Sequence, residues 1–111
     1  MSNLLVGTPA LTASAANASS FVLRSNAGDV DFFIFNTAGT SGWLMLHDLA
    51  AAPTNGAVTP KLVWQVPAGS TIDRGFDPPL RVTNGAVLTF STTGPTTLTL
   101  SATGWFGGRI V

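Results

Sequence analysis

Charge is the scarcest property of this chain: 9% of its 111 residues are charged, against about one quarter in ordinary soluble domains. Glutamate is missing altogether, so the acids are all aspartates, at positions 29, 31, 48, 73 and 77. Arg24, Lys61, Arg74, Arg81 and Arg109 balance them to a net charge of zero. A surface made instead of Thr, Ser, Asn, Gly and Ala offers little repulsion between copies, and we expect it to be covered by identical neighbours. The balance also leaves no basic patch for a phosphate backbone, which argues against a nucleic-acid partner. Cysteine is absent, which excludes disulfides, thiolate catalysis and cysteine-based zinc. No apolar run approaches the roughly 18 to 20 residues of a membrane helix, so no membrane partner is expected. Met1-Ser2-Asn3-Leu4-Leu5-Val6 has no basic start and too short an apolar stretch for a signal peptide. The expected place of synthesis and assembly is therefore a cytoplasm.

What is present is strand chemistry, in a length that suits one domain with one core. The composition changes near residue 20. Residues 7 to 20 are small, polar or Ala, with Pro9 set against regular pairing, so residues 1–20 read as an extended N-terminal arm and residues 21–111 as the body. In the body, β-branched and aromatic runs are punctuated by Gly, Pro, Asn and Asp. Phe21 to Asn26 and Val30 to Asn36 flank Ala27-Gly28-Asp29 and read as two strands joined by a tight turn. The second, apolar on both faces beyond Asp31, is expected to be central and covered on each side. Further strands are expected at Trp43 to Leu49, Leu62 to Val66 and Thr71 to Phe76. Leu80 to Thr83 and Ala86 to Phe90 flank Asn84-Gly85, the signature of a two-residue hairpin. Thr97 to Ala102 alternates polar and apolar strictly, and Trp105 to Val111 closes the chain. About eight strands with no helical period predict an all-β protein, a single β-sandwich or jelly roll.

Chemistry is sparse. His47 is the sole imidazole and stands beside Asp48, but neighbours on a strand point to opposite faces and do not form a dyad. No Gly-x-Ser-x-Gly turn presents a nucleophile. Asp29 and Asp31 put two carboxylates on one strand face, whereas calcium takes about six to eight oxygens and no acidic cluster lies near them. Trp43, Trp64 and Trp105 are the residues best able to form a binding platform, and each also fits a core or subunit interface. We therefore assign no catalytic, cofactor-binding or metal-binding residue and expect no cofactor. The interface candidates are Leu4, Leu5, Val6 and Leu11 of the arm, Thr97 and Thr99 on the polar face of the alternating strand, and Trp105.

One stretch looks like a known group of proteins. Gly42-Trp43-Leu44-Met45-Leu46-His47-Asp48, followed by Ala52-Pro53, Asn55-Gly56 and Val58-Thr59-Pro60, resembles small β-sandwich proteins encoded among the structural genes of tailed bacteriophages. So does the continuation through Pro67-Ala68-Gly69-Ser70, Pro79-Leu80, Asn84-Gly85 and Phe90-Ser91-Thr92-Thr93. The resemblance covers the middle half of the chain, is carried by turn and core residues, and brings no catalytic motif. It implies a virion component: a capsid decoration (cement) protein, or a head or tail appendage of similar build. The expected partners are then the major capsid protein or another virion protein, and further copies of the chain, with a trimer expected. The alternative is a carbohydrate- or receptor-binding module of a head or tail fibre, directed at a host surface glycan through exposed tryptophans.

Overall fold

A computed structural model describes residues 10–13, 17–37 and 39–110. The strands are β1 (Ala10–Ala13), β2 (Ser20–Arg24), β3 (Gly28–Thr37), β4 (Gly42–His47), β5 (Gly56–Ala57), β6 (Leu62–Val66), β7 (Thr71–Val82), β8 (Ala86–Ser91), β9 (Thr97–Leu98) and β10 (Gly104–Ile110), and no helix occurs among the described residues. Two antiparallel four-stranded sheets form, in the orders β1-β10-β3-β7 and β2-β8-β4-β6, with β5 and β9 paired as a separate ribbon. Setting the ribbon aside, the chain changes sheet at every step except between β4 and β6, which are neighbours. That order is a jelly roll, as expected for an all-β sandwich.

The core between the sheets is aromatic. Phe35 lies 4.9 Å from Phe90 and 4.6 Å from Phe106 between ring centres, and Phe33 lies 5.0 Å from Trp64. Leu44, Leu46, Leu88, Val30 and Val82 fill the space around them, all fully buried. At the open side of the sandwich the Arg74 guanidinium lies 6.0 Å from the Trp64 ring, covering an aromatic that the last strand of each sheet leaves at the rim. Truncating a ring such as Phe35 would cost about 3–5 kcal/mol, because close-packed neighbours cannot collapse onto the void.

Two expected hairpins are not hairpins. β2 pairs with β8 while β3 pairs with β10 and β7, so the 25–27 segment crosses between sheets. The Asn84-Gly85 turn likewise carries the chain from β7 in one sheet to β8 in the other. Asn84 keeps a negative φ and Gly85 has φ 157°, so this is not the two-residue turn in which both residues take positive φ. Local signals mark where a chain reverses, and burial of both inner faces decides whether the next strand joins the same sheet or the opposite one. At Gly85 a side chain would run into the backbone of Arg24, Leu49 and Ala50, a close approach that only glycine permits.

The strands buried on both faces are β4 and β8, whereas β3 was the one expected. On β3, Phe33 and Phe35 point into the core, but Phe32 and Ile34 are half-buried on the outer side. On β4 and β8 the outward residues Met45, His47, Val87, Thr89 and Ser91 are as buried as the inward ones. Their cover comes from the long connections. Leu98 of β9 is buried, the Leu100 backbone bridges to Ser91, and the Ser101 N–H donates to the Phe90 carbonyl at 3.1 Å. The alternation at Thr97 to Leu100 holds, with Thr97 and Thr99 exposed, but its apolar side faces this outer layer and only Thr97–Leu98 is strand. Ala10–Ala13, within the segment read as an arm, is an edge strand paired with β10 from Ala10↔Ile110 to Ala13↔Gly107.

Candidate functional site

His47, the last residue of β4, and Asp48, the first residue after it, go separate ways. The His47 ring is buried in the outer layer, with Nε2 2.8 Å from Thr89 Oγ1, and burial lowers its pKa from 6.5. The Asp48 carboxylate accepts from the backbone N–H of Thr83 at 3.0 Å, of Asn84 at 2.7 Å and of Gly85 at 3.3 Å, and from the Thr83 hydroxyl at 3.1 Å. Those bonds, the Thr83 amide first, hold its pKa down at about 2. A carboxylate so committed ties the crossing between the sheets and has little basicity left for proton transfer. Beside it, Leu49, Pro53, Val58, Pro60 and Lys61 line an open cleft of about 450 Å³.

Asp29 and Asp31 do not share a ligand. A bulge between Val30 and Phe32 shifts the register, and each carboxylate meets its own arginine: Arg81 at 3.5 Å from Asp29, and Arg109 at 2.6 Å from Asp31. Among the described residues no cluster of three or more His, Cys, Asp or Glu forms.

Among the described residues, two further surfaces present tryptophan together with polar side chains. The first is the outer face of the β1-β10-β3-β7 sheet. Pairing places Trp105 opposite Asn36 and Asn36 opposite Thr71, and two residues along it sets Ile34 opposite Asp73. Trp105 is 40% exposed, the Asn36 amide donates to Thr71 Oγ1 at 2.7 Å, and the Arg109–Asp31 and Arg81–Asp29 pairs compensate their own charge on this side. Leu11 pairs in register with Arg109 at the margin. The second is a cleft of about 310 Å³ at the end of the other sheet, lined by Ser41, Trp43, Gln65, Val66, Pro67 and Thr92.

Of the expected interface residues, Trp105, Thr97 and Thr99 are exposed, but the structure does not bring them onto one surface. Thr97 and Thr99 belong to the layer outside β8, where Thr99 Oγ1 lies 2.9 Å from Thr93 Oγ1, and Trp105 belongs to the opposite sheet. Leu4, Leu5 and Val6 lie outside the described residues. Two residues have organising roles that no local pattern signals. Asp48 acts on a turn 35 residues away, a distance no local spacing rule reaches. Ser91 reads as one more strand serine, yet its Oγ accepts from the N–H of Thr99 at 2.9 Å and of Thr93 at 3.2 Å and faces the carbonyls of Thr93 and Thr97. Comparison of the chain with protein-family models, curated proteins and solved structures gave no match.

Proposed function

We propose that this chain is a non-enzymatic structural protein of a virion: a decoration (cement) protein of a tailed-phage head, which binds the major capsid protein and associates with itself as a trimer. The observation that carries the reading is the outer face of the β1-β10-β3-β7 sheet. It presents Trp105 opposite Asn36, with the half-buried Ile34 and Phe32 two and four residues further along β3, and Arg109 and Arg81 each already held by an aspartate. Covering such a face leaves both arginines with their counter-ions, while the exposed Asp73 carboxylate opposite Ile34 would call for a basic group from the partner, and an exposed tryptophan is a favoured anchor of protein interfaces. The low overall charge, balanced to zero, adds little repulsion between copies. The jelly roll is a recurrent capsid and lectin architecture, which supports the reading without deciding the role. The resemblance of residues 42–93 to phage structural proteins points the same way.

The test is a mass-spectrometric count of copies in purified particles. A stoichiometry comparable with that of the major capsid protein is expected. A handful of copies per particle would move the chain to a tail or fibre, and its absence from particles would overturn the reading.

A further inference from the structure

We propose that the cleft beside Trp43 is a binding site for a neutral saccharide, separate from the sheet face assigned to assembly. The residues that line it are all uncharged: Ser41, Gln65 and Thr92 provide polar groups, and Trp43 provides an aromatic wall. A charged ligand would find no counter-ion in this lining, and a purely apolar one would leave three hydrogen-bonding side chains dry. Among the described residues the side chains of Ser41, Gln65 and Thr92 engage no partner, although the neighbouring Ser91, Thr93 and Thr99 are bonded to one another. A pyranose matches this combination, since its C–H face stacks on an indole while its hydroxyls pair with carboxamide and hydroxyl groups. At about 310 Å³ the cleft sits at the small end of ligand sites, which run from about 300 to 1,000 Å³.

The platform is also held in place. Trp43 stands opposite Gln65 on β6 and opposite Ser91 on β8, so the carboxamide and the indole share a face of the sheet. The loop after β8 packs Gly94 against the indole so closely that a Cβ there would lie 2.5 Å from Trp43 Cγ. That loop is tied down by the Ser91 hydroxyl and by Thr93, whose Oγ1 donates to the Thr97 carbonyl at 3.0 Å. An aromatic held in place by its own chain does not have to be ordered when a ligand arrives, and preorganisation of this kind reduces the entropic cost of binding.

The test is a titration of the full chain, followed by backbone-amide and indole NMR. The probes are glucose, galactose and N-acetylglucosamine, short linear oligomers of each, and adenosine as a neutral aromatic control. At least one sugar is expected to shift residues 41–43, 65–67 and 92 saturably, with a dissociation constant in the millimolar range. Gln65→Ala, at an exposed position, is expected to weaken that binding about fivefold or more through loss of a hydrogen bond, whereas Trp105→Ala is expected to leave it unchanged. An oligomer that binds tighter than its monomer identifies a polysaccharide as the source, and equal affinities identify a free sugar. The proposal is overturned if no sugar gives saturable shifts at about 100 mM, if adenosine binds tighter than every sugar, or if Gln65→Ala binds as the parent does. None of these outcomes touches the copy number in particles, so the assembly reading stands or falls separately.

Discussion

Asp48 shows how one side chain can replace a stretch of pairing. The Thr83–Gly85 segment crosses between sheets, so its N–H groups have no strand beside them, and the carboxylate takes all three. Asp48→Ala is expected to lower stability by about 1–2 kcal/mol, the cost of losing charge-assisted bonds at a site that water reaches. The acid dependence follows from the depressed pKa. The carboxyl titrates near 3.8 in the unfolded chain and at about 2 in the folded one. Its contribution is therefore complete above the first value and is lost as pH falls towards the second. Urea unfolding of the parent and of Asp48→Ala should differ at neutral pH, and the gap should narrow once pH drops below 3.8. A gap that does not change with acid would mean that the charge contributes nothing.

At the scale of elements, the layer outside β4 and β8 has its own titrating group. His47 is buried and neutral there, bonded to Thr89, while the Asp48 carboxylate is committed to its turn and Lys61 stands at the neighbouring cleft. Because burial lowers the His47 pKa from 6.5, the unfolded chain binds a proton first as pH falls. Stability is then full above that value and declines below it. His47→Leu combined with Thr89→Val removes both polar partners together, and its stability should change less than the parent's between about pH 7 and pH 5 in thermal melts. Parallel pH profiles would refute this. The edge strand β1 permits a different experiment. Deleting residues 1–13 should leave a folded sandwich, because the deletion spares β2 and the Ala18–Gly104 bridge. It turns β10 into an unprotected edge, so hydrogen exchange should accelerate at those N–H groups of Gly107 to Ile110 that face β1, while those bonded to β3, and β4 and β8, stay protected. Protection unchanged at β10 would show that β1 does not pair there in solution.

At the scale of the whole molecule, the two sheets face different surroundings. One has the outer face of its central strands β4 and β8 covered by its own chain, leaving only edge residues such as Val22 and Gln65 exposed, and the other leaves Trp105 exposed on the same face as Ile34 and Phe32. The proposed trimer should therefore depend on the second sheet. Sedimentation of the parent is expected to give a trimer, and Trp105→Glu, which puts a charge into a covered face, is expected to give a folded monomer. Thr99→Lys, on the ribbon side, should leave association unchanged. A parent that stays monomeric at every accessible concentration would remove self-association from the proposed role.

The sequence by itself determined the class of fold and the positions of most strands, because alternation, β-branched runs and Gly/Asn/Pro breaks are local and each is read within a few residues. It also kept His47 and Asp48 apart, although β4 ends at His47 and the bonds to Thr83–Gly85 are what hold Asp48 away. Only the tertiary structure decided which strands share a sheet. The turns at 25–27 and 83–85 look like hairpins locally, but burying two apolar faces against each other sends each following strand across the sandwich. Tertiary structure also moved double burial from β3 to β4 and β8, since what covers an outer face is another stretch of chain folded back on it, residues 97–101 in the case of β8. For the same reason the Trp43 cleft could not be read from the chain: Ser41 to Trp43, Gln65 to Pro67 and Thr92 meet because β4, β6 and the end of β8 lie side by side, a proximity that sheet order creates and sequence spacing does not encode.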